Sequence, residues 1–224
     1  MQLLEIPIDR LVQDMPGATA VFHQYRLSFC CGGSHTLAEA IARAGIDGSE
    51  ILLELEQLQA RQQPEADWSE ASDQALIAHI LQRYHQVHRE QLPELIRLAE
   101  RVEGVHLDHI ECPKGLALCL AQMKLELEQH MSKEENILFP MLNRGLRRSA
   151  AGPISVMLKE HDDHQQTIAW LKNSTSNFVY PEGACNSWRA LYLGLRTLVS
   201  DLENHIALEN NVLFTRQLES INHG

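Results

Sequence analysis

The stretch Leu127-Glu128-Gln129-His130-Met131-Ser132-Lys133-Glu134-Glu135-Asn136-Ile137-Leu138-Phe139 returns 75 residues later as Leu202-Glu203-Asn204-His205-Ile206-Ala207-Leu208-Glu209-Asn210-Asn211-Val212-Leu213-Phe214. Seven of the thirteen positions are identical, including both ends of the H-x-x-x-E. Upstream, His85-Gln86-Val87-His88 is matched by His161-Asp162-Asp163-His164 at an offset of 76. One H-x-x-x-E is a common accident, and a core His beside a core Glu is ordinarily a hydrogen-bonded pair. The order His, then H-x-x-x-E, written twice is far more specific.

Residues four apart share a helix face, so His130 lies one turn from Glu134, and His205 one turn from Glu209. Leu116, Leu120, Met123, Leu127, Ile137 and Met141 recur in alternating steps of three and four, and His130 and Glu134 fall on that stripe. Trp188, Leu191, Leu195, Leu198, Leu202 and Val212 do the same around His205 and Glu209. Imidazoles and carboxylates therefore occupy positions where a helical bundle expects leucine. An ionised Glu buried without a partner costs several kcal/mol or takes up a proton. A positive group between the helices resolves the conflict.

The chain has 224 residues, 44% hydrophobic and only 5% aromatic, a Leu- and Ala-rich profile suited to helices. Strand signals are absent, and the fold class expected is all-α. The net charge of −11 argues against nucleic acid, whose phosphates need a basic face. No apolar window reaches transmembrane length, and the first ten residues lack a basic start followed by an apolar run. With five cysteines, an odd number, this predicts a cytoplasmic protein without a disulfide framework.

Residues 1–60 read as a small helical domain. Ile8, Leu11 and Val12 begin one helix, Pro16-Gly17 interrupts, and Ala18 to Tyr25 forms a second. Thr36-x-x-Glu39 signals a capping box for a third that Gly45 closes, and Ser49 leads a fourth to Ala60. This domain is too small for much core of its own and must pack on the rest or on a second copy, so a homodimer is a candidate assembly. Residues 61–71, with Pro64, read as a linker. Residues 72–224 read as four long helices with connections that favour an antiparallel bundle. The first runs from about Ser72 to Val102 past Pro93, Pro153 opens the third, and the fourth begins near Pro181.

In such a bundle the helices deliver His85, His130 with Glu134, His161, and His205 with Glu209 to one layer of the core. This set is too large for one tetrahedral zinc, and too rich in nitrogen for calcium or magnesium. Two carboxylates at matched positions bridge two metals about 3.5–4 Å apart. Two non-haem iron ions suit the mixture of N and O donors, with manganese or a mixed pair behind them. His88 and His164, three residues after His85 and His161, share their stripes, and spacing excludes neither as a ligand.

The doubled motif, with Leu138-Phe139-Pro140, resembles the hemerythrin-like domain over residues 72–217, and Cys30-Cys31-Gly32-Gly33 resembles the signature of the small domain preceding it in iron–sulfur cluster repair di-iron proteins. The resemblance implies a cytoplasmic stress-responsive protein that restores clusters damaged by nitric oxide or oxidants, with iron–sulfur proteins as clients. It favours His85 and His161 over their neighbours as ligands. His88, His164 and the loop residue His106 are then candidates to orient ligands or line the entrance. Cys30 and Cys31 form a candidate thiol pair for iron transit, nitric oxide chemistry or redox cycling. Two other functions stay open: a module that binds or senses oxygen or nitric oxide, and a nitric oxide reductase. Thr215 departs from the pattern where the first copy has Pro140.

Overall fold

A computed structural model describes residues 3–29, 35–60, 68 and 70–217. Cys30, Cys31 and most of the expected linker lie outside the described residues. The chain is all-α, and among the described residues the one strand-like contact is an isolated bridge between Pro7 and Thr36. After a 3-10 turn at Leu3–Glu5 come α1 (Ile8–Asp14), α2 (Ala18–Gln24), α3 (Leu37–Ala44) and α4 (Ser49–Ala60). The capping box forms as expected: Glu39 N–H donates to Thr36 Oγ1 and Thr36 N–H to Glu39 Oε2, both at 3.2 Å, and Gly45 closes α3 at φ 66°.

The long helices come next. Helix α5 comprises Asp73–Ile80, a π-helical turn Leu81–His85 and Gln86–Val105, with Pro93 inside it. Helix α6 comprises Leu116–Lys133, a π-helical turn Glu134–Leu138 and Phe139–Asn143. Helix α7 is Arg147–Ser174, and α8 is Asn186–Leu208 followed by a π-helical turn Glu209–Phe214. Two helix starts differ from the sequence expectation. Helix α7 begins six residues before Pro153, because Ala150 is fully buried in the core and the first turn packs despite the proline. Helix α8 begins at Asn186, since Pro181-Glu182-Gly183 forms a turn with Gly183 at φ 78°.

The π-helical turns correct the apolar register. A wide turn inserts an extra residue and rotates the helix beyond it. Ile137, placed on the core stripe by a 3.6-residue period, is 51% exposed, whereas Leu138, Phe139 and Leu142 are buried. Phe139 N–H reaches back five residues to Glu134 O. Pro140, which has no N–H to give, comes immediately after. In the second copy Thr215 Oγ1 donates to Asn210 O (2.8 Å), so a hydroxyl bonds within the corresponding widened turn and the helix continues to Gln217.

Compactness divides the chain into two units, each built from several segments. One holds residues 1–65, 93–117 and 175–197; the other holds 66–92, 118–174 and 198–224. In the first, α2 and α4 are tied by Tyr25 Oη, which donates to Glu54 Oε1 (2.8 Å), and Asn186 Nδ2 donates to Phe29 O (3.0 Å). The second has a core of Leu76, Ile80, Tyr84, Phe139, Ile154 and Phe214 with their neighbours. Burial of each such side chain contributes about 1.5–3 kcal/mol. Its helix ends are clasped by Arg216, whose Nη1 donates to Ala71 O (2.7 Å) and Nη2 to Trp68 O (2.8 Å). Trp68 in turn lies over His79 at 4.2 Å between ring centroids.

Gly17 stands at φ 87°, and a Cβ there meets Leu58 Cδ2 at 3.1 Å. A β-branched residue adds backbone strain to a tight contact, so Gly17→Val should cost about 1–3 kcal/mol. The urea midpoint of the variant checks this; a midpoint equal to wild type contradicts it.

Candidate metal centre

Six of the predicted site residues converge within the second unit. His85 ends the first π-helical turn, Glu134 and Glu209 each begin one, and His130 and His205 precede those glutamates by one turn. His161 projects from the middle of α7. All six are at most 2% exposed, and both glutamates are at 0%. They form two overlapping quartets, His85–Glu134–His205–Glu209 and His130–Glu134–His161–Glu209, with donor atoms within 4.8 Å of one another. Each quartet takes one imidazole from each copy of the motif, and both share the two carboxylates. Glu134 Oε2 lies 3.3 Å from His85 Nε2 and 3.4 Å from His130 Nε2; Glu209 lies 3.1 Å from His161 Nε2 and 3.3 Å from His205 Nε2.

The outer ring nitrogens fix the tautomers. His85 Nδ1 donates to Glu135 Oε1 (2.8 Å), His130 Nδ1 to Glu160 Oε2 (3.0 Å) and His161 Nδ1 to Asn210 Oδ1 (2.8 Å). Each partner is an acceptor, so the proton sits on Nδ1 and the inner Nε2 is a bare lone pair. His130 Nε2 and His161 Nε2 then face each other at 3.2 Å with no proton between them. Neither oxygen of Glu134 or of Glu209 has a hydrogen-bond partner. Opposed lone pairs and orphaned buried carboxylates are costly with protein atoms alone and are satisfied by cations placed between them. The residues therefore fit a pair of metal ions.

Titration behaviour has the same geometric origin. Burial, then the charge of Glu209, push the Glu134 carboxyl well above its usual range. Burial acts on Glu209 too, but His205 and His161 outweigh it and hold that carboxyl well below. Burial foremost lowers His85 to about 4 and His130 to about 3.

His88 and His164 are buried, and neither belongs to a quartet. The His88 ring lies 5.5 Å from that of His205, and the His164 ring 5.2 Å from that of His130. His164 also lines a cavity of about 570 Å³ with Glu126, Lys133, Glu160 and Asp163, an acidic wall that favours cations. His106 belongs to the first unit, its Nε2 3.3 Å from Cys185 Sγ and its ring 4.9 Å from that of Trp188. Cys30 and Cys31 lie outside the described residues. Glu135, Glu160 and Asn210 stand outside the site expected from the sequence. The available signal was adjacency, since Glu135 and Asn210 directly follow the quartet glutamates and Glu160 directly precedes His161.

Comparison with known proteins agrees with this geometry. Residues 76–216 match the hemerythrin HHE cation binding domain, and residues 4–59 match a domain of unknown function, DUF542. The chain is 50% identical over 204 residues to the iron-sulfur cluster repair protein YtfE of Pectobacterium carotovorum, covering 91% of this chain and 92% of that one. It is 48% identical to the protein of that name from Citrobacter koseri, covering 97% and 99%, and 48% identical to that of Shigella boydii, covering 95% and 96%. The chain belongs to the YtfE family of iron-sulfur cluster repair proteins. All six quartet residues fall inside this family member's cation-binding region.

The metal-free chain should lose stability between neutral and mildly acidic pH. His85, His130 and His164 fall to about 4, 3 and 4 when folded, and His88 lies well below its usual 6.5. The unfolded chain therefore takes up more protons as pH falls from about 6.5 to about 4, and stability declines over that window. Glu134 opposes this, because its raised folded value makes its penalty shrink towards pH 4.5. Glu209 adds loss only below 4.5. Four imidazoles outweigh one carboxyl, so melting in chelator should occur lower at pH 5 than at pH 7. An equal or higher melting temperature at pH 5 would show Glu134 to dominate.

Proposed function

We propose that the chain repairs iron-sulfur clusters and that its working site is a pair of non-haem irons held by His85, His130, Glu134, His161, His205 and Glu209. The observation that carries this is the pair of overlapping quartets sharing both buried glutamates. Support for the repair role comes from the relatives named above, at about half identity over nearly the whole chain. The donor set of imidazoles and carboxylates suits iron ahead of manganese or a mixed pair. An iron pair supplies one-electron chemistry and binding positions for a small ligand such as nitric oxide or oxygen.

The protein's own residues do the rest. Glu134 and Glu209 would be shared by the two metal positions, Glu135, Glu160 and Asn210 aim the imidazoles, and the core of Tyr84, Phe139 and Phe214 excludes water. Iron–sulfur proteins are the proposed clients. The proposed organisation is a small domain at 1–60, a linker at 61–71 and the di-iron bundle at 72–224, to which the family matches at 4–59 and 76–216 correspond closely. Among the described residues no helix is long and apolar enough to cross a membrane, and we place the protein in the cytoplasm. The Cys30-Cys31 pair is proposed to assist the irons, since all six ligands lie on the long helices and the thiols do not.

Shared bridges make a sharp expectation. After identical anaerobic reconstitution, Glu134→Ala and Glu209→Ala should each hold both irons more weakly than wild type, by about tenfold or more. Loss of one iron with the other untouched would argue for two separate sites. The repair role is tested by adding iron-loaded chain to a cluster enzyme inactivated with nitric oxide. Recovery above that given by free iron supports repair, and its absence removes this function. Cys30→Ser with Cys31→Ser should keep full iron content while repair falls; repair at the wild-type rate would make the thiols structural.

A further inference from the structure

The two halves of the motif keep the same ligands but not the same supports. In the first copy the residue after the bridging glutamate, Glu135, receives the proton of His85 Nδ1 at 2.8 Å. Its counterpart Asn210 receives that of His161 Nδ1 at 2.8 Å. The residue before His161, Glu160, receives the proton of His130 Nδ1 at 3.0 Å. The counterpart of Glu160 is the residue before His85, which is Tyr84. Its ring lies flat on His205, 5.1 Å between centroids and 5° between planes, so it offers the imidazole a face instead of an in-plane acceptor. His205 Nδ1 consequently has no hydrogen-bond partner, although the residue is 1% exposed.

Sorting these supports by quartet exposes an imbalance. The His130–His161 quartet has both rings locked, one by a carboxylate that Lys133 holds and one by an amide. The His85–His205 quartet has one ring locked, by a carboxylate that Arg89 grips through Nη1 (2.9 Å) and Nη2 (3.2 Å), and one ring that stacks on Tyr84 with no acceptor on its outer nitrogen. An acceptor on the outer nitrogen raises the basicity of the ligating one and aims the ring, and its removal typically weakens metal binding about 10–100-fold.

We propose that the two metal positions are held unequally, firmly at His130 and His161 and loosely at His85 and His205, with Asn210 and Glu160 as the positioning residues of the firm one. This rests on the two-metal reading above. In a repair protein the loose position is the one from which iron is given up. Half-loaded protein carries its metal beside His130.

The test is made at equilibrium, because the cavity beside Glu160 and His164 would let a release rate report access instead of hold. Full-length protein is titrated anaerobically with ferrous iron against a competing chelator. Two steps with dissociation constants at least tenfold apart are expected. Crystals grown with one equivalent of iron, measured at the iron edge, should show anomalous density mainly at His130 and His161. Asn210→Ala should weaken the firm step towards the loose one and even out the two densities. Equal occupancy, greater occupancy at His85 and His205, or an unchanged firm step in Asn210→Ala would each overturn the inference and leave two metals standing. Binding of a single iron by the wild-type chain would overturn the two-metal reading itself, and this inference with it.

Discussion

Glu134 and Glu209 face each other with no exposure, and neither finds a hydrogen-bond donor for its oxygens. Two carboxylates in a poorly solvated core repel, and desolvation alone pushes each to take up a proton. Within the protein His205 and His161 relieve this at Glu209, while Glu134 stays pushed towards its protonated form. Glu135 is balanced by Arg89 and Glu160 by Lys133, so the outer pairs are spent on each other. The imidazoles turn bare nitrogens inward. The inner carboxylate oxygens are left without hydrogen-bond donors, a lack that cations between them would make good. Metal bound there would stabilise the folded chain by mass action and so link fold to metal.

That centre also explains the helix geometry around it. His85, Glu134 and Glu209 each sit at the end or start of a π-helical turn. The wider turn rotates the next residues so that Leu138 and Phe139, then Leu213 and Phe214, close over the polar layer. The aromatic rings cover the imidazoles directly, Phe139 over His85 at 5.8 Å and Phe214 over His161 at 6.0 Å. A regular helix would carry Ile137 inward in their place. The irregular turns thus let one helix supply a quartet glutamate and a hydrophobic lid within five residues.

Those wide turns mark where sequence periodicity stopped being informative. The stripe from Leu116 to Leu127 is buried as its spacing indicates, and so is the one from Trp188 to Leu202. Past each glutamate a 3.6-residue period fails, because nothing in the side-chain pattern announces an added residue. The six convergent residues were legible because duplication repeated them, and the capping box of α3 because its chemistry is local. Glu135, Glu160 and Asn210 were hidden by their type: a charged or amide residue next to a buried one on a helix ordinarily faces solvent. Arg147 to Gly152 was misread because tertiary burial of Ala150 outweighs the proline signal.

The two copies also serve as an internal record of which features tolerate change. The quartet residues His130 and Glu134 recur unaltered as His205 and Glu209. Pro140 becomes Thr215, and the backbone requirement is met by different chemistry, absence of an N–H in one case and a hydroxyl bonded to Asn210 O in the other. Glu135 becomes Asn210, keeping the acceptor at 2.8 Å and losing the charge. Glu160 answers to Tyr84, where the acceptor itself is replaced by a stacked ring. Divergence thus grows with distance from the inner atoms. The inner His and Glu recur unchanged, the backbone accommodates the widened turn in both copies, and the outer nitrogens meet a carboxylate, an amide or an aromatic face. A symmetric sequence event has in this way left a centre whose inner shell is symmetric and whose support is not.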